Sequence, residues 1–223
     1  MAKNFHSELV VASYDDHIRK LIPGYALVHQ QIDAILTTHL PETAHILIVG
    51  CGTGYELSYL LQRHPNWTFT AIDPSLKMLE QAQKNIESCQ GTERVEFIQA
   101  DTQNLNKDHQ FDATLAILVA HFIPQGHKTD FFQDIYQILK ADGFLLTYDL
   151  MQHEDVTELK IMQQMAQYSG LNAKQSANMI ERLEQDFDLI SVQSLKEILT
   201  KVGFKHSRIY CQIMNYYGLL IQK

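Results

Sequence analysis

The stretch ILIVGCGTGYE, Ile46 to Glu56, decides the fold: an apolar strand empties into three glycines at alternate positions, with an acidic residue just beyond. Gly50, Gly52 and Gly54 let the chain turn sharply without a Cβ penalty and bring backbone N–H groups close to a ligand where a helix opens. Such a loop suits a nucleotide-like cofactor. A dinucleotide fingerprint wants its third glycine, or an alanine, at position 55, where this chain has the bulky Tyr55, so the close helix-to-strand packing it permits is lost. A phosphate-cradling P-loop is excluded more firmly, because no Gly-Lys-Ser/Thr follows.

Working outward, short β-like runs alternate with helical ones. His45–Val49, Thr68–Ile72, Val95–Gln99, Ala113–Leu118 and Phe144–Asp149 read as strands. Glu56–Arg63, Ser75–Cys89 and Lys128–Lys140 carry apolar residues at helical intervals. In the second of these Leu76, Leu79, Ala82 and Ile86 form the expected buried stripe, Ser75 is placed to cap, and Ala141-Asp142-Gly143 supplies a turn after Lys140. A long helical insertion, about Asp155 to Asp186, precedes a helix over Val192–Val202 and two final strands, Ser207–Gln212 and Tyr216–Gln222. The short link Ile213-Met214-Asn215 permits only an antiparallel hairpin, since a parallel connection needs a crossover of a dozen or more residues. The pattern predicts an α/β fold: a seven-stranded, mainly parallel Rossmann-like sheet with a C-terminal antiparallel hairpin and helices on both faces.

At 223 residues the chain supports one substantial core, and one domain is expected. Its parts are an N-terminal helical lid (residues 1–40), a cofactor-binding core (41–150), a helical insertion (151–190) and a C-terminal helix and hairpin (191–223). No apolar run is long enough to cross a bilayer, and MAKNFHSELV lacks the apolar core of a signal peptide, so a cytoplasmic protein with no membrane partner is expected. The 26 acidic and 18 basic residues leave a formal charge of −8, which disfavours nucleic acid as a partner and favours a small molecule. Cys51, Cys89 and Cys211 are scattered without metal-ligand or disulfide spacing, and the histidines show no H-E-x-x-H pattern, so no metal is expected.

Five stretches, ILIVGCGTG at 46–54, FTAIDPSLKMLEQAQ at 69–83, VEFIQAD at 95–101, FDATLAILVAHFI at 111–123 and LKADGFLLTYDL at 139–150, together with the terminal hairpin, resemble the class I S-adenosylmethionine-dependent methyltransferases over essentially the whole chain. The resemblance implies S-adenosylmethionine as cofactor and S-adenosylhomocysteine as product, with Gly50, Cys51, Gly52 and Gly54 forming the cofactor loop. It gives Asp73, followed by Pro74, to the two ribose hydroxyls, for which an acceptor-only carboxylate is suited. The plainer alternative is a helix-opening acid, since Asp-Pro-Ser also starts helices well. Asp101 falls where the family sets an acid against the adenine amine, with the Thr102 backbone near the ring edge; the alternative is a turn aspartate. Met78 is a candidate adenine wall or a core residue, and Ile117 and Leu118 lie beside the methionine part. One departure stands out: the family's usual acid two places before the first glycine is here Ile48, so another acceptor must meet the cofactor's ammonium.

The N-terminal YDDHIR at 14–19 and IPGY at 22–25, with GFKHSRIYCQIMNYYGLLIQK at 203–223, are similar to a branch containing the carboxy-S-adenosylmethionine synthases of tRNA wobble-uridine modification and small methyltransferases. In that resemblance Tyr25 reaches the cofactor, and aromatic faces of Tyr14 and Tyr25 suit a sulfonium by cation–π attraction. Arg19 is a candidate partner for the methionine carboxylate. The synthases hold the extra carboxylate with an arginine in the insertion; Asn172–Met179 contains none, which argues for ordinary S-adenosylmethionine, with Lys174 or Arg182 as the only nearby substitutes. His121, with Tyr14, is the candidate catalytic residue for an unidentified small-molecule acceptor, and Tyr148 or Asp149 stand near it as further bases. A cofactor-binding protein without catalysis is the remaining alternative. The insertion is expected to cover the substrate pocket or to form a homodimer contact.

Overall fold

The strand that enters the glycine loop is interior along almost its whole length: in β1, His45–Val49, Ile46 and Leu47 have no exposed surface and Ile48 only 2 %. A continuous apolar strand of this kind needs cover on both faces. The computed structural model supplies it and describes residue 11, residues 14–108 and residues 110–223; the MAKNFHSELV segment, and with it the start of the expected lid, lies outside the described residues. Strands β2 (Thr68–Ile72), β3 (Val95–Ile98), β4 (Phe111–Ile117), β5 (Leu139–Leu150), β6 (His206–Ile213) and β7 (Tyr216–Gln222) join β1 in one sheet of order β3-β2-β1-β4-β5-β7-β6. β1 to β5 run parallel, and β7 inserts antiparallel between β5 and β6. This is the seven-stranded sheet the sequence predicts.

Period-2 alternation divides the strand side chains between two cores. On one face Ile46, Ile48, Phe69, Ala71, Leu115 and Leu146 pack under α2 (Tyr25–His39), α3 (Tyr55–Arg63) and α4 (Leu76–Ile86). On the other, Leu47, Val49, Ala116, Leu145 and Leu219 pack under α5 (Lys128–Ile138) and α9 (Val192–Val202). Phe132, Ile135 and Ile138 of α5 are fully buried, each such side chain stabilising the fold by about 1.5–3 kcal/mol. A short N-terminal helix, α1 (Tyr14–Leu21), precedes α2. The insertion forms α6 (Val156–Tyr168), α7 (Ala173–Glu181) and the single turn α8 (Leu183–Asp186). No helix among the described residues is long and apolar enough to cross a membrane.

Three local readings differ from expectation. The stripe of α4 is Met78, Leu79, Ala82 and Ile86, while Leu76 is 50 % exposed: Ser75 caps the helix by accepting from the Met78 N–H, which turns the first helical residue to solvent. The expected turn at 141–143 is a bulge inside a longer β5, because Leu139 pairs with Phe111 and the ladder resumes at Ala113 with Phe144. Gly143 fits there because a Cβ would meet the Phe111 and Asp112 carbonyls at 3.1 and 3.2 Å. The insertion is broken into separate helices at Gly170, φ +101°, after which Asn172 and Gln175 form a reciprocal capping box. The hairpin holds as expected, closing through Met214 and Asn215 between paired Ile213 and Tyr216.

Candidate cofactor crevice and active site

All three loop glycines adopt left-handed φ, +62° at Gly50, +53° at Gly52 and +81° at Gly54. A Cβ on Gly50 would lie 2.7 Å from Val119 Cγ2, and one on Gly54 3.0 Å from Ala82 Cβ and 3.2 Å from Ala82 Cα. Gly54 thus permits the N-terminus of α3 to rest directly on α4. Gly54→Ala is expected to destabilise the protein by about 2–5 kcal/mol through backbone strain and overpacking, read as a lowered urea midpoint at unchanged slope. The Cys51 N–H bonds the Ile72 carbonyl at 2.9 Å, tying the loop to the end of β2.

Asp73 follows β2 and is buried. Its Oδ2 accepts the Gly52 N–H at 3.0 Å and its Oδ1 the Ser75 N–H at 2.8 Å. One carboxylate therefore clamps the glycine loop to the start of α4. The helix-opening role read from Asp-Pro-Ser is real.

A crevice of about 360 Å³ opens beside this clamp, its walls including Gly50, Pro74, Asp101 and Thr102. It lies at the carboxyl ends of β1 and β4, where the strand order reverses, the usual ligand position in open α/β sheets. Val119, Ile123 and Phe131 give it an apolar side, and Asp130 and Asp134 an acidic one. Asp101 accepts the Asn104 N–H at 3.2 Å and the Gln103 side-chain amide at 2.7 Å, so the turn role holds alongside its place in the wall. Met78 is 2 % exposed on the packing side of α4 and is not on the crevice wall.

The N-terminal helices meet the other side of the loop. Thr53 Oγ1 donates to Asp15 Oδ1 at 2.5 Å, docking α1 on the loop. Burial first, then the carboxylates of Glu56, Asp73 and Asp15, push the Tyr14 phenol up, so Tyr14 keeps its proton and acts as a donor rather than a base. Cys51 is likewise pushed up, by burial, then Asp73 and Glu56, and is an unreactive thiol. Tyr25 packs in a ring cluster, 4.4 Å from His29 and 5.1 Å from Tyr55 between centroids, and borders a surface groove with Arg19 rather than the crevice. Arg19 lies over Tyr55 at 5.1 Å.

Just past the end of β4 the backbone is strained. Ile117 is buried, and Leu118 takes φ +60° while its N–H bonds the Tyr148 carbonyl at 2.7 Å. A non-glycine residue held left-handed by its surroundings is a mark of functional sites. Just beyond, His121 Nδ1 lies 2.8 Å from Asp149 Oδ1, a pair 5 % and 1 % exposed at the side chains. The contact is off the hydrogen-bond axis, and Asp149 Oδ1 also accepts the His121 backbone N–H at 3.2 Å. Lys128, 1 % exposed, donates to the Ala120 carbonyl at 2.6 Å and borders the same small void as His121 and Asp149. Burial pushes the Lys128 ammonium down, partly offset by Asp149 and Asp188. Burial pushes the Tyr148 phenol up, which removes it as a base.

A second cavity, about 230 Å³, lies between α1, the inserted helices and Tyr216; Met162, Met179, Arg182 and Phe187 line it. Phe187 packs edge-on against the His121 ring at 4.9 Å. Arg182 Nη2 pairs with Asp186 Oδ2 at 2.5 Å. The structure thus gathers Gly50, Pro74, Asp101 and Thr102 around one crevice, with Asp73 and Gly52 bonded at its edge, and leaves His121, Tyr14 and Tyr25 off its wall. Sequence reasoning missed the buried Glu56, His29 and Lys128. Glu56 was visible beside the loop, but nothing in the pattern announced that it would be buried.

The topology is the fold of the class I S-adenosylmethionine-dependent methyltransferases. Residues 46–143 match the family model described as a methyltransferase domain. Over 226 residues the chain is 24 % identical to the carboxy-S-adenosyl-L-methionine synthase of Idiomarina loihiensis, covering 96 % of this chain and 90 % of that one. Among solved structures it is similar in fold to the plantazolicin methyltransferase BpumL in complex with a triazolic desmethylPZN analogue and S-adenosylhomocysteine, with TM-score 0.71, 14 % identity and coverage of 98 % and 92 %. The magnesium protoporphyrin IX methyltransferase of Synechocystis PCC 6803, with bound S-adenosylhomocysteine, gives TM-score 0.64 at 14 % identity, covering 91 % and 84 %.

Proposed function

We propose that the protein transfers a methyl group from S-adenosylmethionine to a small-molecule acceptor, releasing S-adenosylhomocysteine. The observation that carries this reading is the meeting of a left-handed glycine loop, Asp73 and Asp101 at one crevice where the sheet reverses. The residues present fit the cofactor: a Cβ on Gly52 would meet nothing nearer than the Gly50 carbonyl at 4.0 Å, so this turn faces open space. The two carboxylates are acceptors for hydroxyl and amine donors.

When bound, the cofactor supplies an electrophilic methyl on a sulfonium. Asp73 would hold the ribose hydroxyls, Asp101 the adenine amine with the Thr102 backbone beside it, and Val119, Ile123 and Phe131 would exclude water from the ring. The cavity beneath the inserted helices takes the acceptor, and His121, packed behind Phe187 of its wall, is the base candidate if that ring swings aside. Alignment and desolvation account for much of the expected rate. A second reading, a carboxy-S-adenosylmethionine synthase-like activity, is supported by Arg182 on that cavity's wall and by the relatives' name.

A thermal-shift panel tests both. S-Adenosylhomocysteine at a hundredfold excess over its Kd adds about 2.7 kcal/mol, a rise of about 5–11 °C for a chain of this size. The carboxylated cofactor is expected to stabilise no better than S-adenosylmethionine, and NAD not at all. Stabilisation by NAD alone would overturn the assignment.

A further inference from the structure

Resting on the cofactor reading, we infer that Glu56, held by His29, replaces the acid missing at position 48 and receives the ammonium of the cofactor's methionine moiety. Ile48 is 2 % exposed and sits in the same apolar cluster as Tyr25, Cys51 and Leu57. The strand therefore offers no carboxylate on the face that carries α2 and α3. Glu56, in the first turn of α3, brings one to that face from the far side of the glycine loop. It is 9 % exposed, a burial that a carboxylate rarely accepts without partners.

His29 is the partner that fixes it. The His29 ring is 2 % exposed, its Nδ1 lies 2.7 Å from the Tyr25 carbonyl and its Nε2 2.9 Å from Glu56 Oε1. A carbonyl only accepts, so Nδ1 donates and the ring orientation is set. Among the described residues Glu56 is bonded through Oε1 alone, which leaves Oε2 as an acceptor. The carboxylate stands two residues beyond Gly54, in the first turn of the helix that the glycine loop opens. Glu56 and Asp73 thus flank the glycine loop, Asp73 through its bond to Gly52 and Glu56 from the first turn of α3. Asp15, the third acid near Tyr14, is engaged by Thr53. An ammonium only donates, and a charge-assisted bond from it satisfies the open oxygen.

The test is a binding cycle by calorimetry, pairing the protein change with a ligand change. S-Adenosylhomocysteine is compared with its deamino analogue on wild type and on Glu56→Gln, which keeps the side-chain shape and an acceptor for His29. The wild type is expected to bind the deamino analogue about 10- to 100-fold more weakly, the range for a bond to a charged group. Glu56→Gln is expected to lose the same factor for S-adenosylhomocysteine and to bind the two ligands equally. Glu56→Asp, which keeps the charge but withdraws it, shows a smaller loss of the same selectivity and stands in should the glutamine variant not fold. Equal weakening of both ligands by Glu56→Gln would reduce Glu56 to a structural role and overturn the inference, as would unchanged affinity for S-adenosylhomocysteine. Failure of both ligands to bind wild type removes the cofactor reading itself, and the inference with it.

Discussion

Asp73→Ala is expected to lower S-adenosylhomocysteine affinity by about 100- to 10,000-fold, the worth of two hydrogen bonds to a charged acceptor. The effect is large because the same carboxylate does two jobs. Its oxygens accept the Gly52 and Ser75 N–H groups at 3.0 and 2.8 Å, so the alanine variant removes the ligand's acceptor and also releases the loop that shapes the crevice. Each backbone N–H left unpaired costs about 1–3 kcal/mol, so the variant should melt lower without any ligand present. Asp73→Asn separates the contributions: one carbonyl oxygen remains for a backbone N–H, while the charge and half the acceptor capacity are gone. Calorimetry with S-adenosylhomocysteine checks the first effect and a ligand-free melt the second. Full retention of affinity in Asp73→Ala would sink the ribose assignment.

Asp149→Ala is expected to be the most destabilising of the changes considered, by about 3–5 kcal/mol, a fall in Tm of about 6–20 °C for a chain of this size. Asp149 is 1 % exposed and stands against the His121 ring and backbone. Lys128, on the same void, is equally buried. Removing the acid leaves an ammonium in the interior with Asp188 as its remaining charge partner, and an uncompensated buried charge is the costly case. The pH dependence follows from Lys128. Its folded-state pKa lies below the ordinary 10.5 because of burial, so the unfolded chain binds the proton more readily and stability falls as pH drops through the lowered value. Asp149 limits that loss, so the penalty of Asp149→Ala should be largest near neutrality and shrink as the pH approaches 10.5. Urea unfolding across that range measures it. A double variant that adds Lys128→Met should be less destabilised than the two single changes together; simple additivity would mean that the two groups are not coupled.

Much of the fold was legible because the signals were local. The apolar runs of β1 and β2, the Ser75 cap and the short Met214-Asn215 link each specify their own structure, and the observed β1, β2 and β7 coincide with the expected ranges. What failed depended on phase or on distant contacts. Leu76 and Met78 both sit on an amphipathic pattern, and only the cap geometry decides which of them turns inward. The bulge before Phe144 is set by pairing with Phe111 and by carbonyls against Gly143, which no window around residues 141–143 contains.

The site divides in the same way. Gly50, Asp73, Asp101 and Thr102 could be placed at the carboxyl edge of the sheet from sequence because the strand ends that carry them are fixed by topology. Tyr25, expected at the cofactor, sits in a ring cluster with His29 and Tyr55 that only the packing of adjoining helices reveals. The environment of His121 comes from Asp149 and Phe187 on separate elements, and Lys128 reads from sequence as an ordinary surface lysine at a helix start. Burial of a charged group is a property of the assembled layers, and its residue type alone does not disclose it.

The near-contact of Gly54 with Ala82 has a consequence for how this sequence is free to vary. The absent Cβ of one residue and the single methyl of the other share one space, and Ala82 has no exposed surface. Enlarging position 82 would prise α4 from the start of α3 and carry Ser75, and so Asp73, away from the loop. Two positions far apart in the chain therefore act as a single locus restricted to small residues, and the spacing of the whole cofactor edge is set by a gap one methyl wide.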